Sequence, residues 1–217
     1  YQPDFLDYLA HFHFTGTVSA MPEGTPVFAR EPLLTVCAPL IQCQLIETWL
    51  LNILNHQSLI ATKARRIVAA AAGRPVMEFG ARRAQGPDAA TYGARAAVIG
   101  GCASTSSVLA GQLFQLPVAG TMAHAWVQSF NDELTAFRSW AKVYPDSASL
   151  LVDTYDVLKS GIPNAITVFK ELQAAGHQPV GIRIDSGDIA QLATAARQLL
   201  DQAGFPNAKI TAPNSLD

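Results

Sequence analysis

The chain has 217 residues, 49% of them hydrophobic, with 15 Lys and Arg against 17 Asp and Glu and a net charge of −2. That much apolar side chain supports one large or two small packed domains and excludes a disordered polymer. Near-neutral, scattered charge excludes broad electrostatic capture of nucleic acid or an anionic membrane, so any phosphate has to be met by local groups.

Phe5, Leu6, Leu9 and Phe12 recur at helical spacing and predict a short amphipathic helix over 4–12. His11 and His13 lack convincing metal partners, and no metal site is expected there. Extended stretches at 17–20, 26–28 and 33–37 are separated by Pro22-Glu23-Gly24 and Arg30-Glu31-Pro32, both good turn chemistry. They predict a small antiparallel meander.

Between Pro39 and Gly73 the apolar residues Leu40, Ile41, Leu45, Ile46, Trp49, Leu50, Ile53 and Leu54, then Ile60, Ile67 and Val68, keep a helical period. The run is long for one uncapped helix, and two helices with a break near 55–58 are expected. Lys63, Arg65 and Arg66 read as a solvated face of the second. No apolar run approaches a membrane span: Leu45 to Leu54 is interrupted by Glu47, Thr48 and Asn52. No secretory leader is evident, although the chain starts at Tyr1 without a methionine. Cys37, Cys43 and Cys102 lack C-x-x-C spacing and read as buried reduced thiols of a cytoplasmic protein.

After Gly73 the pattern changes to alternating strand and helix, with later strands recurring at about thirty residues, the size of a βα unit. Pro163 at a helix start and Gly176 after its end frame one unit, with Ile166, Phe169 and Leu172 facing inward. In the next, Asp188 and Gln191 have capping-box spacing, Ile189, Leu192, Ala196, Leu199, Leu200 and Ala203 form an apolar stripe, and Gly204 ends the helix. The expected fold is a parallel α/β sheet curled into a barrel, whose site would be built at the C-terminal strand ends.

Five apolar runs break there into polar chemistry: Glu78-Phe79-Gly80-Ala81-Arg82-Arg83, Gly120-Thr121-Met122-Ala123-His124, Val152-Asp153-Thr154-Tyr155, Arg183-Ile184-Asp185-Ser186-Gly187 and Lys209-Ile210-Thr211-Ala212. An aromatic beside two guanidinium forks suits a flat anionic ligand. His124, at an expected helix start, could act as a nucleophile, a proton-transfer group or a helix-start residue of the core. Asp153 and Asp185 could orient that histidine, bind ribose hydroxyls, hold Mg²⁺ or cap helices, though Asp188 already fills the capping position after Asp185.

Over nearly the whole chain, and in order, these segments resemble nicotinate phosphoribosyltransferase, as do Phe14-Thr15-Gly16, Pro22-Glu23-Gly24, Glu31-Pro32 and Leu45-Ile46-Glu47-Thr48. The resemblance implies that nicotinate displaces pyrophosphate from phosphoribosyl pyrophosphate to form nicotinate mononucleotide in NAD salvage. It implies coupling to ATP through a transient phosphohistidine and places the enzyme among the ligases. By motif match, His124 is phosphorylated and Asp153 orients it, both as catalytic residues. Phe79 stacks the pyridine, Arg82 and Arg183 form the cationic frame for substrate, Thr121 binds substrate, and Asp185 meets the ribose or Mg²⁺-pyrophosphate side.

The resemblance also implies a cytoplasmic homodimer with shared sites, no nucleic-acid or membrane partner, and an irregular TIM-like α/β barrel, incomplete here, beside an α/β sandwich. Residues 1–58 would be the sandwich portion with its helix and 59–217 the barrel portion. Two departures stand out: Ala125 follows the histidine where many relatives carry a hydroxyl, and Pro213 and Ser215 alter the segment around Asn214. The family's further strands and its N-terminal aromatic segment are missing, so the chain reads as an internal portion. The competing readings are a nicotinamide or quinolinate phosphoribosyltransferase, a noncatalytic module on the same fold, and an unrelated barrel enzyme using Asp153 and Asp185 for metal chemistry.

Overall fold

The computed structural model describes residues 1–212 and is a mixed α/β structure that divides into two compact units, 1–119 and 120–217. The Asn214 segment lies outside the described residues.

The first unit opens with helix α1 (Pro3–Ala10), which has Pro at its first turn, and a two-stranded antiparallel ribbon, β1 (Thr17–Ala20) and β2 (Leu34–Cys37), in register Val18 to Val36. The expected strand at 26–28 is a loop. Pro26 has no N–H to offer a ladder, and the Phe28 N–H is taken by the Glu31 carboxylate at 2.8 Å.

Helix α2 (Leu40–Ala70) is continuous, correcting the expected break at 55–58. Residues 40–70 contain neither Gly nor Pro, so the polar Asn55-His56-Gln57-Ser58 stretch does not interrupt the ladder. It serves as a docking point instead: His56 Nε2 donates to the Ala89 carbonyl at 3.1 Å. The expected domain boundary after residue 58 therefore falls inside a helix. The helix ends where Ala72 and Gly73 take positive φ of 50° and 84°.

Helix α3 (Pro87–Ile99) lies against α2 around a small-residue core of Ala64, Ala97 and Cys102. Gly100 permits the close approach, since a Cβ there would stand 2.5 Å from the Ala61 carbonyl. The thiols differ from expectation: Cys102 is buried, but Cys43 is half-buried and Cys37 exposed.

Two short parallel strands complete this unit, β3 (Met77–Glu78) and β4 (Ser104–Thr105), with α4 (Val108–Phe114) after them. β4 has no counterpart in the sequence reading. The strand expected near Val118 is reduced to a single bridge from Val118 to Thr105.

The second unit carries the larger core. It begins with α5 (His124–Gln128) and α6 (Glu133–Val143), then a parallel sheet in the order β5 (Ser149–Leu151), β6 (Gly181–Arg183), β7 (Lys209–Thr211). Leu150 sits opposite Ile182, and Ile182 opposite Ile210. The crossovers are α7 (Ile162–Ala174), entered through a π turn at Val157–Gly161, and α8 (Ile189–Gln202).

Phe137, Phe169, Leu150, Ile182, Ile184 and Leu200 are fully buried between sheet and helices, each adding about 1.5–3 kcal/mol of apolar burial. Asp188 caps α8 by accepting the Gln191 N–H at 3.0 Å, as its spacing predicts. Among the described residues β7 is an edge strand of this sheet.

Candidate active site

In the second unit the polar side chains gather where β5 and β6 end. β5 delivers Asp153 two residues past its last strand position, and the Val152 N–H bonds the Arg183 carbonyl at 3.1 Å, so the two strand ends advance together. Gly161 allows this: a Cβ there would meet the Val152 carbonyl at 2.0 Å.

The Asp153 side chain is only 1% exposed. His124 Nε2 lies 3.2 Å from its Oδ1, and the Ser186 hydroxyl donates to its Oδ2 at 2.6 Å. A buried carboxylate with both oxygens engaged holds the imidazole in one orientation. His124 is the first residue of α5, a helix of five residues, shorter than the run through Phe130 expected from sequence. Its side chain is 41% exposed.

A second cluster adjoins it. Arg183 donates through Nη1 to the Thr121 hydroxyl at 2.7 Å and through Nη2 to Asp185 Oδ2 at 2.5 Å. Arg183 and Asp185 are 12% and 14% exposed, a largely desolvated pair whose geometry is set by the strand. The sequence-predicted residues Thr121, His124, Asp153, Arg183 and Asp185 thus fall into two hydrogen-bonded sets. Ser186 was missed as a participant. Its signal was position alone, a hydroxyl between Asp185 and Gly187 at a strand end.

In the first unit Phe79 is half-buried at the end of β3, and Arg82 and Arg83 are exposed on the 3₁₀ turn Ala81–Arg83. Glu78 braces this turn. Its carboxylate accepts the Gly80 N–H and, at 2.6 Å, the Thr105 hydroxyl, while its carbonyl accepts the Ser106 N–H at 2.9 Å. Burial, helped by the Glu78 charge, pushes the nearby Cys102 thiol above its ordinary range. The bracing by Glu78 and Thr105 was invisible in sequence, because β4 was.

Acid–base, hydroxyl and guanidinium groups collected at the ends of adjacent parallel strands define an α/β protein that builds its site on strand-end loops. Residues 75–209 match the nicotinate phosphoribosyltransferase (NAPRTase) family, and residues 1–55 match the NAPRTase N-terminal domain. The chain belongs to the nicotinate phosphoribosyltransferase family.

Along its whole length it is 52% identical to nicotinate phosphoribosyltransferase of Bacillus subtilis and 46% identical to nicotinate phosphoribosyltransferase pncB2 of Mycobacterium tuberculosis, covering 44% and 46% of those proteins. The chain therefore spans less than half the length of these relatives. Among solved structures, human nicotinic acid phosphoribosyltransferase superposes with a TM-score of 0.91 at 33% identity, over all of this chain and 54% of that one. Nicotinate-nucleotide pyrophosphorylase from Pyrococcus furiosus superposes with a TM-score of 0.82 at 30% identity, over 94% and 52%.

Proposed function

We propose that the protein to which this chain belongs is an ATP-coupled nicotinate phosphoribosyltransferase of NAD salvage, a ligase-type enzyme that joins nicotinate to the phosphoribosyl group of phosphoribosyl pyrophosphate. The observation that carries the reading is the His124–Asp153–Ser186 arrangement, placed within the matched family segment.

In the displacement, the ring nitrogen of nicotinate bonds to the anomeric carbon as the bond from that carbon to pyrophosphate breaks, its electron pair leaving with pyrophosphate. Positive charge builds on the sugar and negative charge on the leaving group, so alignment and charge stabilisation dominate. Phe79 offers a stacking face for the pyridine and Arg82 a cation for its carboxylate. Arg183, held by Thr121 and Asp185, supplies a pre-oriented guanidinium for the phosphoribosyl part.

Because Asp153 accepts, the His124 proton resides on Nε2, which leaves the Nδ1 lone pair as the nucleophile. Nδ1 attacks the terminal phosphorus of ATP, ADP departs, and water later releases phosphate from the phosphohistidine. Among the described residues no three His, Cys, Asp or Glu side chains gather as a metal cage. Mg²⁺ would arrive on phosphate oxygens, and the Asp185 carboxylate would be its protein contact. Bound there, Mg²⁺ would neutralise charge on the leaving pyrophosphate.

Closure of the strands into a TIM-like barrel by the rest of the protein, with residues 1–58 as the sandwich portion and 59–217 as the barrel portion, belongs to the same reading. So do a homodimer and a cytoplasmic location. The edge position of β7 supports the first, and the exposed apolar residues Leu40, Trp49 and Leu59 of α2 leave a surface for a partner. The described residues include no helix long and apolar enough to cross a membrane.

The superposition on nicotinate-nucleotide pyrophosphorylase supports a second reading, a related pyridine phosphoribosyltransferase. Isotope-traced product analysis on the full-length protein separates them. Nicotinate mononucleotide formed from nicotinate and phosphoribosyl pyrophosphate, stimulated by ATP and not diminished by excess quinolinate or nicotinamide, is expected. Turnover of either competitor in preference to nicotinate would overturn the assignment.

A further inference from the structure

Ser186 joins the two hydrogen-bonded sets at the strand ends. Its hydroxyl donates to Asp153 Oδ2 at 2.6 Å, and its backbone continues directly from Asp185, whose carboxylate accepts from Arg183 at 2.5 Å. Arg183 in turn donates to the Thr121 hydroxyl at 2.7 Å, and Thr121 stands just ahead of His124 in one short segment. His124 Nε2 returns to Asp153 Oδ1 at 3.2 Å. These contacts close a ring that runs from His124 through Asp153, Ser186, Asp185, Arg183 and Thr121 and back along the chain to His124.

Three segments carry the ring, and a fully buried apolar residue fastens each one: Met122 between Thr121 and His124, Val152 before Asp153, and Ile184 between Arg183 and Asp185. Backbone bonds tie the segments as well. The Val152 N–H meets the Arg183 carbonyl and the Ile184 N–H meets the Thr211 carbonyl, each at 3.1 Å. Core packing leaves the backbone little freedom, so the side-chain bonds set the remaining play between imidazole and guanidinium. A closed network resists distortion more than two separate pairs do, because a side chain that swings strains bonds in both sets.

We propose that Ser186 is a positioning residue that makes His124 and Arg183 one unit, so that displacing either is felt at the other. In the proposed reaction the imidazole takes the phosphoryl group of ATP and the guanidinium meets the phosphoribosyl group; Ser186 holds these two functions in a fixed relation. The inference deepens that reading and rests on it for its biological meaning, but not for its test.

The test is a double-mutant cycle on the full-length protein without nucleotide, read as the rate at which diethyl pyrocarbonate modifies His124 at one fixed pH. The mass of the His124 peptide gives the rate. An imidazole held through one nitrogen presents only the other, whereas a released ring presents both. Ser186→Ala and Thr121→Val cut the ring at opposite links, and each should speed modification by about two- to tenfold, the range for one lost hydrogen bond. Once one link is cut the ring is open, so the double variant should be no more than slightly faster than the faster single. Ser186→Thr, which keeps a hydroxyl, should react at nearly the wild-type rate.

A double variant whose acceleration is the product of the two singles would show two independent local contacts and overturn the ring. So would a wild-type rate in either single variant, or a Thr variant as fast as the Ala one. Ser186 is exposed, so truncating it removes no core packing. Should Ser186→Ala nevertheless fold poorly, the same cycle with Asp153→Asn cuts the next link and decides the matter. Because no turnover is read, the result stands apart from whether His124 is phosphorylated; that is decided by ATP labelling of wild type and His124→Asn.

Discussion

Asp153 and His124 meet at 3.2 Å with opposite exposures: the carboxylate is 1% accessible and the imidazole 41%. The anion is sealed in the protein while its partner faces outward. That asymmetry lets a buried charge orient a ring that has to react with something from solution.

Asp153→Asn keeps the shape and removes the charge. It should reduce ATP-dependent labelling of His124 by roughly ten- to a hundredfold, the range of about 1.5–3 kcal/mol for a charge-assisted hydrogen bond. Labelling of the full-length protein with terminally labelled ATP measures this. Wild-type labelling in a folded Asn variant would sever Asp153 from the role assigned to it.

Arg82 is exposed on the turn Ala81–Arg83, so Arg82→Ala should leave thermal stability nearly unchanged. Nicotinate binding should weaken by about ten- to a hundredfold, again about 1.5–3 kcal/mol for a lost fork to a carboxylate. Calorimetric titration with nicotinate checks it, and an unchanged Kd would remove Arg82 from the pyridine site.

Glu133 also predicts a pH dependence of stability. Its carboxyl in the folded chain lies above the ordinary 4.5, chiefly through burial. Between those two values the folded state holds a proton that the unfolded state has released. Stability from this group is therefore complete at acid pH and is lost as pH rises through the folded value. Glu133→Gln, which cannot ionise, should gain on wild type in urea midpoint as pH is raised from 5 to 8. A gap that stays constant or narrows contradicts this.

Cys102 is buried and its thiol is pushed up, whereas Cys37 is exposed. Iodoacetamide should therefore label Cys37 first and Cys102 only on unfolding, since the thiolate is the reactive form. Peptide mapping of a timed reaction resolves the order; early labelling of Cys102 would place that thiol at the surface.

What the sequence determined by itself was whatever depends on near neighbours. The period of Ile189, Leu192, Ala196 and Leu199 with Asp188 ahead of it specified α8 and its cap, because capping and amphipathicity act within a turn or two. The strand-end positions of Asp153, Arg183 and Asp185 were legible for the same reason, as polar breaks after short apolar runs, and so was the place of His124 at a helix start.

Tertiary structure decided what depends on distant partners. Helix α2 runs unbroken through residues 55–58 because its polar side chains found a use, His56 against Ala89. β4 exists because Met77 and Glu78 pair with Ser104 and Thr105, two polar residues that carry no strand period of their own. Ser186 reaching Asp153 and Asn164 reaching Glu133 are likewise products of chain crossing, across separations of 33 and 31 residues. Local propensity writes the elements, but a hydrogen bond between far-separated side chains exists only once packing has excluded water from both.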